Sequence, residues 1–241
     1  MNTSASDQPS QDAVADTVAS VIKARRTTKR LVDPERRHET ATSLSEAESA
    51  ALQRMLSVAG LAPFHKPAAK VHCNDTLGSP VPWRFHVIEK GACMRLVDWL
   101  EQQAASGEAP WPRAWSSKIP TLLCAAGAAV LVTWLPTADD TEGAGENIEF
   151  SHANIENVAA AGAAVQNLMI MAEAEGWDSY WSSGGSLREP ETFDLLGIAR
   201  IERLLGAIML TPREHPVDKR VPGGLFDRRG DYTSWTRYVE L

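Results

Sequence analysis

Arg25-Arg26-Thr27-Thr28-Lys29 gathers two guanidinium forks, two hydroxyls and an ammonium into one short stretch of a chain whose formal net charge is −7. Planar forks and an ammonium beside hydroxyls are the charge-assisted donors that hold a phosphate dianion. The sequence pI is about 5.4, so the field of the whole chain draws in no anion and a local patch must do so. Taken alone, the cluster also suits a solvated basic helix end facing the helix dipole. A second candidate is Ser182-Ser183-Gly184-Gly185, whose glycines let the backbone approach a flat ligand and present N–H groups to a ring edge. Alone, it is a turn. A third, Asp218-Lys219-Arg220-Val221-Pro222, puts a basic pair into a Pro-rich tail, where a surface charge cluster is the plainer reading. His65 and His86 could move protons, but His86 falls on the face of an expected strand, where a structural histidine is the ordinary case.

These residues need elements to hold them. Apolar positions 14, 18, 21 and 22, with Asp16 early and Lys23 and Arg25 late, predict an amphipathic helix from Val14 to Arg25 with the basic cluster at its end. Ser45-Glu46-Ala47-Glu48 is a capping box that opens a second helix, stopped by Gly60 and Pro63, and Pro63 to Pro80 reads as a long irregular loop. Alternation from Trp83 to Ile88 predicts a strand, and Met94 to Gln103 a helix. The apolar run Thr121 to Leu135 is too short to span a bilayer and reads as a strand buried on both faces. Asn154 to Glu175 is the clearest element, a long central helix with small residues around Ala159–Ala164. Trp177–Ser182 and Leu204–Thr211 are strands, Pro190–Leu196 is a short helix, and the segment beyond Pro212 reads as loops. Interleaved helices and strands without a repeat point to α+β or α/β architecture.

Composition excludes several classes. With 44% hydrophobic and 23% charged residues the chain is globular, and its acidity argues against nucleic acid and anionic membrane as partners. Cys73, Cys93 and Cys124 lack the spacing of a metal site or a disulfide framework, so no metal is expected. Met1 to Asp16 carries no secretory pattern and reads as a flexible tail on a cytoplasmic protein, followed by a single domain over 17–241.

In this order and with these intervals, the motifs resemble the nitroreductase family from about Val18 to the C-terminus. The carriers are Arg25-Arg26-Thr27 with Lys29, Pro82-Trp83-Arg84-Phe85, the series from Gln166 to Ser179, the Ser183-Gly184-Gly185 turn, and Arg220 with Pro222. The resemblance implies an α+β, three-layer α/β/α sandwich with a mixed central sheet and helices on both faces. It also implies a homodimer that exchanges its C-terminal extensions and builds each FMN site from two chains. Arg25, Arg26, Thr27 and Lys29 then bind the phosphate, ribityl chain and pyrimidine side of FMN, and Ser183, Gly184 and Gly185 lie near N5. Lys219 and Arg220 return to the phosphate. The family's Ser-x-x-Asn-x-Gln-Pro-Trp segment is replaced by Pro63-Phe64-His65-Lys66-Pro67 and an insertion, so Phe64 and His65 stand in by position, and Asp218 replaces the first lysine of the tail motif. The implied activity is hydride transfer from NAD(P)H through the flavin to a nitroaromatic, quinone or free flavin, with ping-pong kinetics and no catalytic side chain. The alternatives are a reductive dehalogenase-like or flavin-cleaving enzyme of the same superfamily, and a flavin-binding protein without turnover. The absence of a GxGxxG turn argues for FMN over a dinucleotide.

Overall fold

A computed structural model describes residues 9–40, 42–68, 77–107, 109, 111, 115–137 and 151–239. Its elements run α1 (Gln11–Ala24), β1 (Thr28–Leu31), α2 (Glu46–Ala59), β2 (Trp83–Glu89), α3 (Lys90–Ser106), α4 (Trp115–Ala125), β3 (Ala128–Trp134), α5 (His152–Ala174), β4 (Trp177–Ser182), α6 (Pro190–Leu196), β5 (Arg203–Pro212) and β6 (Lys219–Pro222).

Four strands form the central sheet in the order β2-β3-β5-β4, every neighbour antiparallel. Strands β1 and β6 pair antiparallel as a separate ribbon, and a parallel bridge between Thr27 and Ser179 ties that ribbon to β4. All seven residues of β3 are buried because the sheet is covered twice. Ala129 and Leu131 of β3, with Ala207 and Met209 of β5, face α3, α4 and Phe193 of α6. Val130 and Val132, with Ile208 and Leu210, face α2 and α5. Period-two alternation along both strands therefore feeds two cores, and the expected three-layer α+β sandwich is present.

Local signals explain most boundaries. Ser45 accepts from the Glu48 N–H at 3.3 Å while Glu48 reaches back to the Ser45 N–H at 2.7 Å, completing the capping box that starts α2. Ser151 caps α5 through the Asn154 N–H at 3.1 Å. Three expectations need correction. The run Thr121–Leu135 is not one strand: α4 continues to Ala125, with Pro120 inside it, and the strand begins only at Ala128. The first helix runs Gln11–Ala24 rather than Val14–Arg25, with Arg25 as its C-cap, so the basic cluster does begin at a helix end but its later residues, from Thr28, are strand. The tail beyond Pro212 is not all loop, because β6 pairs with β1.

Helix α1 begins at Gln11, inside the segment expected to be flexible, and buries none of its residues; Val14, Val18 and Ile22 are exposed. Of the acidic, Gly-containing segment expected to be a loop from Thr137 to Gly145, residues 138–145 lie outside the described residues, as does the middle of the Pro63–Pro80 loop. Among the described residues no helix is long and apolar enough to cross a membrane, and no His/Cys/Asp/Glu group could hold a metal ion.

Candidate cofactor site

The turn from α1 into β1 sets the first part of the site. Arg25 is the C-cap of α1, its N–H donating to the Val21 carbonyl at 3.0 Å, and the chain then turns into an extended path. From there alternation buries Thr28 and Arg30 and leaves Thr27 and Lys29 half-exposed. Those two line a cleft of about 450 Å³ whose other walls include Tyr180 of β4 and Pro222, Phe226 and Arg229 of the C-terminal segment. The Arg26 guanidinium lies 3.9 Å from the Phe226 ring centre and Arg229 lies 4.9 Å from it, so one ring carries two cations. Lys29 Nζ sits 5.2 Å from the Tyr180 ring centre.

Arg25 itself is 7% exposed, and its Nη1 has no hydrogen-bond partner among the described residues. Burial holds its pKa below the ordinary guanidinium value, the nearby charge of Arg229 adds to that, and Glu173 partly opposes it. A buried guanidinium with an unsatisfied donor is costly, and the missing partner is an acceptor of negative charge.

Beneath the cleft lies a hub at Asp178, whose carboxylate is 3% exposed. It accepts from Arg30 Nη1 at 3.1 Å, from Arg213 Nε at 3.2 Å, and from Arg220 Nε and Nη2 at 2.9 and 3.2 Å. Burial raises the pKa of Asp178, but the bonds from Arg220 and Arg213 outweigh it and hold the carboxyl below its ordinary value. Arg213 also pairs with Glu173 at 2.6 Å. Arg25, Arg30, Arg213 and Arg220 thus face two carboxylates, Asp178 and Glu173, and the region stays cationic in an acidic protein.

Of the expected phosphate residues, Thr27 and Lys29 line the cleft and Arg26 lies against its Phe226 wall, whereas Arg25 is close enough to feel the charge of Arg229 and the Arg220 fork is held on Asp178. Arg220 lies opposite Arg30 in the ribbon and Lys219 opposite Leu31. Neighbours in a strand point to opposite faces, so Lys219 does not share the Arg220 side. Asp218 has its own work, accepting the Asp33 N–H at 2.7 Å and pairing with Arg36 at 2.5 Å.

Strand β4 connects the hub to the glycine turn. Asp178, Tyr180 and Ser182 alternate along it, which carries the chain about 13 Å from hub to turn. Ser183-Gly184-Gly185 follows, with φ of 107° at Gly184 and 54° at Gly185, a path closed to ordinary side chains at the first and strained at the second. The Gly184 N–H donates to Ser182 Oγ at 3.2 Å, and Arg188 Nε donates to the Ser183 carbonyl.

Phe64 and His65 are not brought to this cleft within one chain. Phe64 packs edge-on against Trp83, ring centres 5.8 Å apart, and His65 Nδ1 lies 3.0 Å from Glu156 at the start of α5. Glu173, at the Arg25 end, is in the last turn of the same helix. The rise of an α-helix separates those positions by roughly 25 Å. His86 sits on its sheet face as expected, 2.6 Å from Glu202, which also accepts from Thr133. Sequence reasoning missed Asp178, Tyr180 and Arg229. Period-two spacing along β4 could have paired Asp178 with Tyr180; nothing local announces Arg229.

The fold and cleft define a three-layer α+β protein with a cleft bordered by basic side chains beside its first and last strands. Residues 22–210 match the Nitroreductase family, and the chain belongs to that family. Among solved structures, the nitroreductase-like family protein from Bacillus cereus aligns over 100% of this chain and 99% of its own, at 20% identity and a TM-score of 0.57. A putative nitroreductase in complex with FMN from Desulfovibrio desulfuricans aligns over 81% and 85%, at 19% identity and a TM-score of 0.50. A BluB-like flavoprotein from Clostridium difficile 630 aligns over 92% and 99%, at 14% identity and a TM-score of 0.53. At these identities the likeness is one of fold. A search of curated proteins gives no match.

Proposed function

We propose that the protein is an FMN-dependent oxidoreductase that passes electrons from NAD(P)H to an electron-poor acceptor such as a nitroaromatic, a quinone or free flavin, working as a homodimer. The observation that carries this reading is the buried, unsatisfied guanidinium of Arg25 beside a cleft ringed by Arg26, Lys29 and Arg229. A phosphate ester supplies the missing acceptor, and the donors present fit it. When bound, FMN supplies a hydride-accepting and hydride-donating centre that serves donor and acceptor in turn.

The residues of the chain then bind and orient. Arg25, Arg26 and Thr27 would hold the phosphate, with Arg220, held on Asp178, adding positive charge nearby. Lys29 places positive charge at the pyrimidine edge, where negative charge develops on reduction. The Ser183-Gly184-Gly185 turn offers its backbone at the reacting edge, and no side chain acts as nucleophile.

The dimer reading is supported by what one chain leaves uncovered. Ile155, Ala159 and Gln166 are exposed along α5, and a Cβ added at Gly162 would meet nothing within 4 Å. Trp235 and Tyr238 are 70% and 83% exposed in a C-terminal segment without a strand partner among the described residues. Antiparallel pairing of two α5 helices carries the His65 end of one chain to the Arg25 end of the other, making Phe64 and His65 of the partner the flavin-ring contacts.

Three measurements test this. Acid release and chromatography should yield FMN as the main flavin. NADH or NADPH added under argon should bleach the yellow protein, and an acceptor should restore its colour. Light scattering should find a dimer, and Ala159→Glu should yield monomer that has lost flavin. A flavin that neither nicotinamide bleaches would leave a binding protein and sink the enzyme reading.

A further inference from the structure

Arg188 and Leu204 belong to two places at once. They back the glycine turn, for a Cβ built on Gly184 would lie 3.1 Å from Arg188 Cγ and 2.6 Å from Leu204 Cδ2. They also line a separate pocket of about 510 Å³. Trp134, Val158, Phe193 and Leu205 supply its apolar floor, and Arg188, Arg200 and Arg203 its polar rim.

The charges there do not cancel. The Glu202 carboxylate is occupied by His86 at 2.6 Å and by Thr133. Burial raises its pKa, but those two bonds hold it below the ordinary value, so it stays charged and paired. Arg200 forks onto Asp194 at 2.8 and 2.5 Å. Arg188 and Arg203 have no carboxylate among the described residues. Arg188 donates to the carbonyls of Ser183 and Leu204, the latter at 3.1 Å. Arg203 Nη1 donates to the carbonyls of Arg200, Ile201 and Glu202 at 2.9, 3.2 and 3.3 Å. Backbone carbonyls thus fix both forks in orientation without neutralising either, and Nη2 of each is left without an acceptor among the described residues.

Two guanidinium groups fixed by backbone carbonyls, beside the single buried and hydrogen-bonded carboxylate of Glu202, leave a surplus of positive charge above an aromatic and aliphatic floor and select a flat apolar body with one negative end. We propose that this pocket binds an aromatic carboxylic acid, its carboxylate between Arg188 and Arg203 and its ring over Trp134 and Phe193. The pocket lies behind the glycine turn, and the binding does not rest on the flavin reading above.

The test is calorimetry on the flavin-loaded protein with 2-naphthoate and its neutral isostere 2-naphthamide. The acid should bind about tenfold tighter or more, the range of one charge-assisted bond. Arg203→Met should cut that advantage to about threefold or less. Arg188→Met serves as the second variant, with flavin absorbance and circular dichroism reporting whether the turn it holds survives. Equal binding of acid and amide, or an advantage that persists in both variants, overturns the proposal. Turnover of 4-nitrobenzoate against 4-nitrobenzamide is read separately. A naphthoate preference without nitro reduction keeps the pocket and removes the reductase reading, whereas reduction of both nitro compounds with equal binding of the naphthyl pair does the reverse.

Discussion

Replacing Arg25 by Met separates function from stability because the two should move in opposite directions. The side chain is 7% exposed and its Nη1 is unsatisfied, so in the flavin-free protein it is a liability. A buried unsatisfied polar group costs about 1–3 kcal/mol. Since Nη1 is the one buried atom of this side chain left unsatisfied among the described residues, the lower end of that range applies. Methionine fills similar volume without the charge, so the flavin-free variant should gain about 1 kcal/mol, or roughly 2–4 °C in melting temperature for a domain of this size. With FMN the sign reverses. The lost charge-assisted bond is worth about 1.5–3 kcal/mol, which weakens FMN binding by roughly ten- to a hundredfold. Flavin fluorescence titration measures the affinity, and calorimetric melting with and without FMN measures the stability. A variant that binds FMN as tightly as the parent, or that melts lower without it, would show that Arg25 is a structural residue and would refute the argument.

Two further outcomes follow from the site's supports. Asp178→Asn removes the charge that three guanidinium groups share and turns one accepting oxygen into a donor, and should cost about 2–4 kcal/mol at neutral pH, discounted because Arg220 is half-exposed. The folded-state pKa of Asp178 lies below its ordinary 3.8, so its contribution is fully present above that value and is lost as pH falls through the lower folded value. Urea titrations of parent and variant should differ by a constant amount from about pH 5 to 8 and converge in stronger acid; a gap independent of pH down to about 3 would refute the assignment. Gly206→Ala drives a Cβ into the Trp181 indole and to 2.8 Å from the Ser182 carbonyl, which is backbone and cannot step aside. It should lower the melting temperature by roughly 4–8 °C, and an unchanged melting temperature would show that β4 and β5 separate easily at this point.

How legible each part was follows from how far its determinants lie apart along the chain. Helix α2 carries its start in Ser45 and Glu48, and α5 announces itself through many turns of small and apolar residues, so both were readable. The run Thr121–Leu135 was not, because a helix and a strand buried on all sides look alike without polar residues to mark a period. Gly127 was the available break. Strands β1 and β6 are short and rich in charge, and each exists only because the other lies across from it. The site shows the same division. Arg25, Arg26, Thr27 and Lys29 stand together in sequence, and of these Thr27 and Lys29 line one cleft while Arg26 lies against its Phe226 wall. Arg229 and Tyr180 reach it only through folding, and the distance of His65 from it within one chain depends on the length of α5.

The pairing of β1 with β6 also sets an order of events during synthesis. Thr28 meets Pro222, so the ribbon closes a loop of roughly 190 residues. Closing such a loop costs about 4–5 kcal/mol in chain entropy, more than four short rungs of charged strand return. The central sheet is complete once β5 has left the ribosome, but the cleft gains its second wall only when Phe226 and Arg229 follow. A nascent chain therefore emerges with a formed sandwich and an open site, and on the proposed function an anionic ligand between Arg25 and the last segment would serve as the latch that draws the two ends of the polypeptide together. A protease meeting the protein before that latch is set would find its first cuts in the C-terminal segment.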